Sequence, residues 1–439
     1  MNSLTQNRYT IVLINHSFQI NYFSRRWKLF SESHPDFEVY LLAPDKYEWY
    51  SEKKYNYGSS NSLEGKERDE GNFHIRLYRI NKNLHKGWTS PDFEQLFRDI
   101  KPDIVYHIGT HNQESLYQIT RILVKKFPHV KRIAFSMRGP AMNLRKNKID
   151  LLSPISIARR MMYYRHKHVL NYIHRHIEAF FCHYPEAVDC FRTEGYSGPL
   201  YMQTQVGVNI EWFHEDALAR REIREKYNLG DSFVFGSASR FTSDKGLDDI
   251  LNALPKDGNW KYLMMGKGSQ EDIDRLRHLI DKKGLQDKVI MTGFVDWYDM
   301  AKYWNAVDCA IHVPRTTPWW EETFSLSIIQ AMITRKPIIG NTSGSVPYQI
   351  GPEAICVPEG DIQALNSKIQ WVLDNQCRLA EIGEKMYERA LQFTVQHLND
   401  VFYDTLVEDV IHSNYDITKM DMTTYKPLKF KEDEGFVDC

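Results

Sequence analysis

Short apolar runs, each about one strand long, recur along this chain, and stretches with helical spacing separate them. In the first half they fall at residues 10–14, 38–42, 104–106 and 132–135, and in the second at 233–236, 260–265, 288–292, 309–312 and 337–339. Such a βα rhythm builds parallel sheets covered by helices. The rhythm is interrupted by two polar stretches, 47–72 and 144–156, which read as loops. It changes character around 203–216 and restarts after Gly230. Two doubly wound units follow, with a boundary at Val206-Gly207, and ligands of such sheets bind at the carboxyl ends of the strands. The units are expected to face each other across a cleft.

With 439 residues the chain exceeds one ordinary core and suits two domains. Its 42% hydrophobic and 26% charged residues describe a globular protein. A formal net charge of -1 argues against a general nucleic-acid binder. Neither a signal-peptide pattern nor a run of ~20 apolar residues is present, so the expected location is cytoplasmic. Six scattered cysteines show neither CxxC pairs nor metal-ligand spacing. The first unit is expected over 1–206 and the second over 207–395. A C-terminal helix over 396–413 is expected to cross back to the first domain, and 414–439 to form a peripheral tail.

Candidate chemistry concentrates in the second half. The strand at 233–236 leads into a loop carrying Arg240 and Lys245, two cations suited to a diphosphate whose charge grows as a glycosyl–phosphate bond breaks. A solvated basic loop would look the same. Gly266 and Gly268 form a Gly-x-Gly turn after the next strand, and Gly293-Phe294-Val295 follows the one after. Either is an ordinary turn or a close backbone approach to a ligand. Further on, Glu322-Thr323-Phe324-Ser325-Leu326 opens an apolar run, with Gln330 eight residues beyond Glu322. The spacing predicts Glu322 at a helix N-terminus and Gln330 two turns deeper, both facing one ligand.

Taken in order, Arg240, Lys245-Gly246, Gly266-x-Gly268, Gly293-Phe294-Val295, Glu322-x-Phe324 and Gly344-Ser345-Val346-Pro347 resemble the family 4 glycosyltransferases, retaining enzymes of the GT-B fold. The resemblance covers 207–393 well and the first half loosely. It implies that Arg240 and Lys245 bind the donor diphosphate, Glu322 the donor sugar, and that Gln330 occupies the ribose-binding position. The chain departs from the family pattern in having Gln330 for Glu, Ser325 and Ser345 for Gly, and Tyr348 for Glu. The implied activity is transfer of a hexose from a nucleoside-diphosphate-sugar, a UDP-sugar in the first instance, to a hydroxyl acceptor in cell-surface polysaccharide or glycoconjugate synthesis. No metal or other cofactor is implied, the nucleotide-sugar being a substrate.

In the first half, Arg138 lies in a segment similar to the one where the family often has a His-Gly near the reactive sugar, which makes it a candidate catalytic residue for the donor phosphate or a sugar hydroxyl, with pairing to a local carboxylate as the alternative. His16, His107 and His111 follow or end strands and are candidate acceptor or sugar contacts, with a structural histidine as the alternative for His107 and His111. Asp272-Ile273-Asp274 imitates a metal-binding DxD, yet acids in a first helical turn are expected from the helix dipole alone. The basic stretch 145–175 is either a membrane-surface contact beside a lipid-linked glycan acceptor or a helix with a solvated face. The first reading would put the protein peripherally at the inner membrane face.

Two other functions compete. The departures at Gln330, Ser345 and Tyr348 would also suit a catalytically silent, glycosyltransferase-like binding subunit. A nicotinamide-dependent enzyme needs Gly-x-Gly-x-x-Gly after a strand, and the turn at Gly266 lacks the third glycine.

Overall fold

A computed structural model describes residues 8–15, 18, 21–45, 66–83, 87–109, 114–137, 154–318 and 320–413. The chain divides into two compact units, with breaks between Val206 and Gly207 and between His397 and Leu398.

The first unit is built on strands β1 (Tyr9–Ile14), β2 (Phe37–Pro44), β3 (Arg68–Glu70), β4 (Phe73–Tyr78), β7 (Ile104–Gly109), β8 (Lys131–Ser136), β9 (Ala179–Cys182) and β10 (Leu200–Met202). Between them a separate hairpin pairs β5 (Asn81–Asn83) with β6 (Gly87–Thr89). The large sheet has the order β10-β9-β8-β7-β1-β2-β4-β3, parallel except for the terminal β3–β4 pair. β3 and β4 lie partly inside and just beyond the stretch expected to be loop. Their sequence, Arg68-Asp69-Glu70 against Phe73-His74-Ile75, hides a strand because the edge is polar. There His74 is wedged between Asp69 and Glu38.

One layer of this core is completed from the far end of the chain. Phe402, Leu406 and Val410, all fully buried, pack with Trp27, Phe30, Tyr106 and Phe181. The helix Val395–Asp404 continues into a wider-pitched turn, Thr405–Ile411. Arg26 fixes its approach: Nε donates to Asn399 Oδ1 (3.0 Å), and the terminal nitrogens donate to the carbonyls of Thr204 (2.8 Å) and Leu398 (3.1 Å). One buried guanidinium therefore holds both the segment where the chain leaves the unit and the segment where it returns.

The second unit contains β11 (Phe233–Ala238), β12 (Trp260–Met265), β13 (Val289–Gly293), β14 (Cys309–His312), β15 (Ile338–Asn341) and β16 (Ile355–Val357). All are parallel, in the order β13-β12-β11-β14-β15-β16. Successive strands run outward from β11 in one direction and, from β14, in the other, so the topological switch point lies between β11 and β14. The ends of the unit are joined by a backbone bridge, Val208 N donating to Phe393 O (3.1 Å) and Val395 N to Val208 O (3.1 Å).

The basic stretch folds in its described part as the helix Pro154–His176, with Val169, Leu170 and Ile173 buried and Lys167 and His168 exposed. Among the described residues no helix is long and apolar enough to cross a membrane.

Replacing Arg26 with Ala is expected to lower unfolding stability by about 3 kcal/mol, because it strands two buried carbonyls and removes charge-assisted hydrogen bonds. Urea denaturation of both proteins measures this, and a loss below about 0.5 kcal/mol would show that the clamp does not hold.

Candidate active site

The residues singled out in the second unit gather at the carboxyl ends of its strands. Arg240 and Lys245 follow β11, Gly266 and Gly268 follow β12, and Gly293-Phe294-Val295 ends β13. His312 ends β14, Glu322 lies in the loop after it, and Gly344-Ser345 follows β15. Lys245 and Glu322 thus come from the two strands that flank the switch point.

They meet directly. Lys245 Nζ donates to Glu322 Oε2 at 2.8 Å, with the two side chains only 11% and 8% exposed. His312 Nε2 lies 3.4 Å from the same oxygen, an electrostatic contact longer than an ordinary hydrogen bond. The Lys245 ammonium also sits 4.0 Å from the centre of the Trp320 ring, within cation–π range. Burial by itself would raise the Glu322 pKa, but the adjacent Lys245 charge and the His312 imidazole outweigh it and bring the carboxyl down to about 2. At neutral pH Glu322 is therefore an anion that accepts hydrogen bonds and cannot serve as a proton donor.

Two glycines make this approach possible. Gly246 has φ 68°, and a Cβ there would fall 1.8 Å from the Val313 carbonyl oxygen, so the turn carrying Lys245 can press against the extension of β14 only with glycine. Gly344 has φ 49°, and a Cβ there would lie 2.1 Å from the Glu322 carbonyl oxygen. That oxygen accepts a hydrogen bond from Ser345 N (2.7 Å). The loop after β15 consequently braces the backbone of Glu322.

The predicted helix start needs correction. The helix is Leu326–Ile333, and Glu322 lies in the loop before it. Ser325 is extended (φ -108°, ψ 115°), and its backbone N–H is taken by the Gln349 side chain (2.7 Å), whose amide also donates to Ser325 O (2.9 Å). This side-chain clamp on the backbone fixes the helix start at Leu326. The serines at two family glycine positions are also unstrained, since Ser345 is helical (φ -79°, ψ -4°) and Ser325 extended. Tyr348 packs on Phe393 and beneath Arg389.

Gln330 is 3% exposed and its Oε1 accepts a hydrogen bond from Trp304 Nε1 (3.3 Å). A neutral amide meets that indole at a lower desolvation cost than a carboxylate would. Arg240 is more open, 38% exposed and 3.9 Å from Asp244. Gly266 N donates to Gly293 O (2.9 Å), which ties the turns after β12 and β13 together, and Phe294 stands half-exposed beneath the Lys267 ammonium. Val295 is buried, Thr323 and Leu326 are half-buried, and Phe324 packs edge-on against Phe393. Gly268 precedes a capping box in which Asp272 and Ser269 cap each other's backbone, while Asp274 accepts from Gln270.

His107 is a core residue of the first unit, 1% exposed, with Nε2 3.0 Å from Ser115 Oγ and its ring beside Trp88. His16, His111 and Arg138 lie outside the described residues, as do 414–439. His312 and Trp320 were not among the expected site residues. The signal for His312 was its place at the carboxyl end of a strand, and for Trp320 its position two residues before Glu322.

Residues 219–392 match the family described as glycosyl transferases group 1. Over 151 residues the chain is 29% identical to the GDP-mannose-dependent alpha-(1-6)-phosphatidylinositol monomannoside mannosyltransferase of Mycobacterium tuberculosis, covering 33% of this chain and 38% of that protein. It is 26% identical over 183 residues to the alpha-D-kanosaminyltransferase of Streptomyces kanamyceticus, covering 40% and 44%. The matches thus span about two fifths of each relative's length. Anabaena HepE, solved in complex with UDP, superposes with a TM-score of 0.67 at 16% identity, over 91% of this chain and 100% of that one. The fold is GT-B. The match to the group 1 glycosyl transferases falls within the second unit.

The ion pair predicts a pH signature. Because the folded pKa of Glu322 lies below its ordinary value, its contribution to stability is present above pH 4.5 and is lost as the pH falls toward about 2. Unfolding stability of native protein and Glu322→Gln, measured across that range, should differ by roughly 3 kcal/mol at neutral pH and converge at the acid end. A pH-independent difference would contradict the pairing.

Proposed function

We propose that this protein transfers a sugar from a nucleoside-diphosphate-sugar to a hydroxyl of a glycan or lipid-linked acceptor, retaining the anomeric configuration. The observation carrying this reading is the buried Lys245–Glu322 pair at the switch point of a group 1 domain. Lys245 and Arg240 would receive the diphosphate and balance the charge that develops on the leaving oxygen. Glu322, fixed as an anion, would accept hydrogen bonds from the sugar hydroxyls and hold the ring. With the donor absent, Lys245 keeps Glu322 neutralised, and donor binding would exchange part of that contact for phosphate.

Acceptor attack on the face that the diphosphate leaves would give retention, the departing phosphate oxygen taking the acceptor's proton as the new glycosidic bond forms. No metal takes part in this scheme. Donor choice is framed by two neighbours: HepE was solved with UDP, and the mycobacterial relative is GDP-mannose-dependent. A UDP-sugar is our first candidate. Capsule-like polysaccharide or glycoconjugate synthesis at the inner membrane face, with contact through the basic helix, is the setting we favour.

A thermal-shift and donor-hydrolysis screen across UDP-, GDP- and ADP-sugars tests the reading, since a donor bound to the native state raises its melting temperature. One of them should stabilise the protein and be slowly hydrolysed. Lys245→Ala is expected to lower turnover with that donor by about 10²-fold or more. Turnover within a few-fold of native would remove Lys245 from the diphosphate site, and indifference to every donor would remove the enzyme reading altogether.

A further inference from the structure

At the opposite end of the second sheet, beneath the amino ends of β11, β12, β14 and β15, lies a cavity of about 860 Å³. It is distinct from the Lys245–Glu322 site, and a volume of this order is typical of small-ligand pockets. Its inner wall is unusually cationic. Arg220 and Arg224 converge on a single carboxylate, Asp308, at 2.6 and 3.3 Å. Both guanidiniums are further held by backbone carbonyls, Arg220 by Asn305 O (3.0 Å) and Arg224 by Ala306 O (3.1 Å) and Gly230 O (2.9 Å). They are rigid, and together they exceed the charge of their one acid by one.

Lys336 adds a further positive charge to the lining. It is half-buried and lines the same cavity, and among the described residues its ammonium makes no ion pair and no hydrogen bond. Burial, then the nearby Arg220, pushes its pKa below the ordinary lysine value, while Glu215 and Asp308 oppose this from a distance. Its neighbour Arg335 is already engaged by Glu384 (2.7 Å) and Glu215 (3.3 Å). The remaining acids of the lining, Asp231, Asp257 and Asp374, are exposed at the rim, beside the exposed Lys256. The helix Leu326–Ile333 ends nearby, but the carbonyls of Ala331 and Met332 are already satisfied by backbone N–H groups of residues 334–336.

A half-buried ammonium facing a cavity beside two guanidiniums that share one carboxylate gains from an anion placed in that cavity. We propose that this cavity is a second ligand site, for a small dianion of the phosphate-monoester class, with Lys336 as its direct contact and the Arg220–Arg224–Asp308 cluster as its fixed positive wall. The rim, with Asn259, Gln370 and Asp374, offers donors and acceptors to a hydroxylated ligand body. Nothing in this inference depends on the donor reading.

The test uses the full chain with inorganic phosphate as probe and chloride at matched ionic strength as control. Phosphate should raise the melting temperature of the native protein and of Lys245→Ala alike. In Lys336→Gln the apparent Kd should weaken by about 10-fold or more, the loss expected for one charge-assisted contact. In parallel, acetylation of Lys336 in the native protein, mapped by mass spectrometry, should slow when phosphate is present. That arm decides the matter if the Lys336→Gln protein does not fold. An unchanged phosphate response in Lys336→Gln, a response abolished only by Lys245→Ala, or acetylation of Lys336 indifferent to phosphate would each overturn the proposal.

Discussion

Opposite charges brought together out of water organise the second unit. The Lys245–Glu322 contact needs a carboxylate and an ammonium to lose most of their hydration, which is favourable only with good geometry and further polar support. The fold supplies both. Gly246 lets one loop lie against β14, Gly344 and Ser345 hold the backbone of the other, and His312 and Trp320 surround the charges. If either partner were removed alone, the survivor would be a buried charge with weak compensation. The same contact that shapes the loops is thus the one that a polar, anionic ligand would have to enter.

This preorganisation distinguishes the two cations. Lys245 is buried and held in place by Glu322, whereas the Arg240 side chain is 38% exposed. A fixed charge needs no rearrangement when new charge develops beside it. In the proposed diphosphate role the end of a single strand would supply one buried, ion-paired cation and one more exposed.

Much of this was legible in the sequence, and the gaps have physical causes. Buried strands such as Trp260–Met265 and Cys309–His312 stood out because both faces are apolar. Of the edge strands, Val289–Gly293 is legible, whereas Arg68–Glu70 is hidden by its polarity and Leu200–Met202 and Ile355–Val357 by being only three residues long. Arg240, Lys245 and Glu322 were found through their order along the chain, but pairing of the last two across the switch point depends on sheet order, which no local pattern encodes. The helix start was placed too early because its boundary is set by Gln349, a side chain 24 positions downstream of Ser325. Gln330 is expected at the ligand from its spacing and from the family resemblance, and neither reveals its hydrogen bond from Trp304, which lies on a different helix.

The way the chain leaves and re-enters the first unit has a bearing on synthesis. Among the described residues the second unit is one continuous insertion whose ends are stitched by the Val208–Thr394 bridge, so its described part emerges from the ribosome in a single stretch. The first unit, though begun earlier, lacks Phe402, Leu406 and Val410 until the second unit has been made. Its sheet must wait with Trp27, Tyr106 and Phe181 uncovered while some 190 residues of the second unit are made. For this protein the usual order, in which domains mature from the N-terminus onward, is reversed: the domain that starts second is the first that can finish.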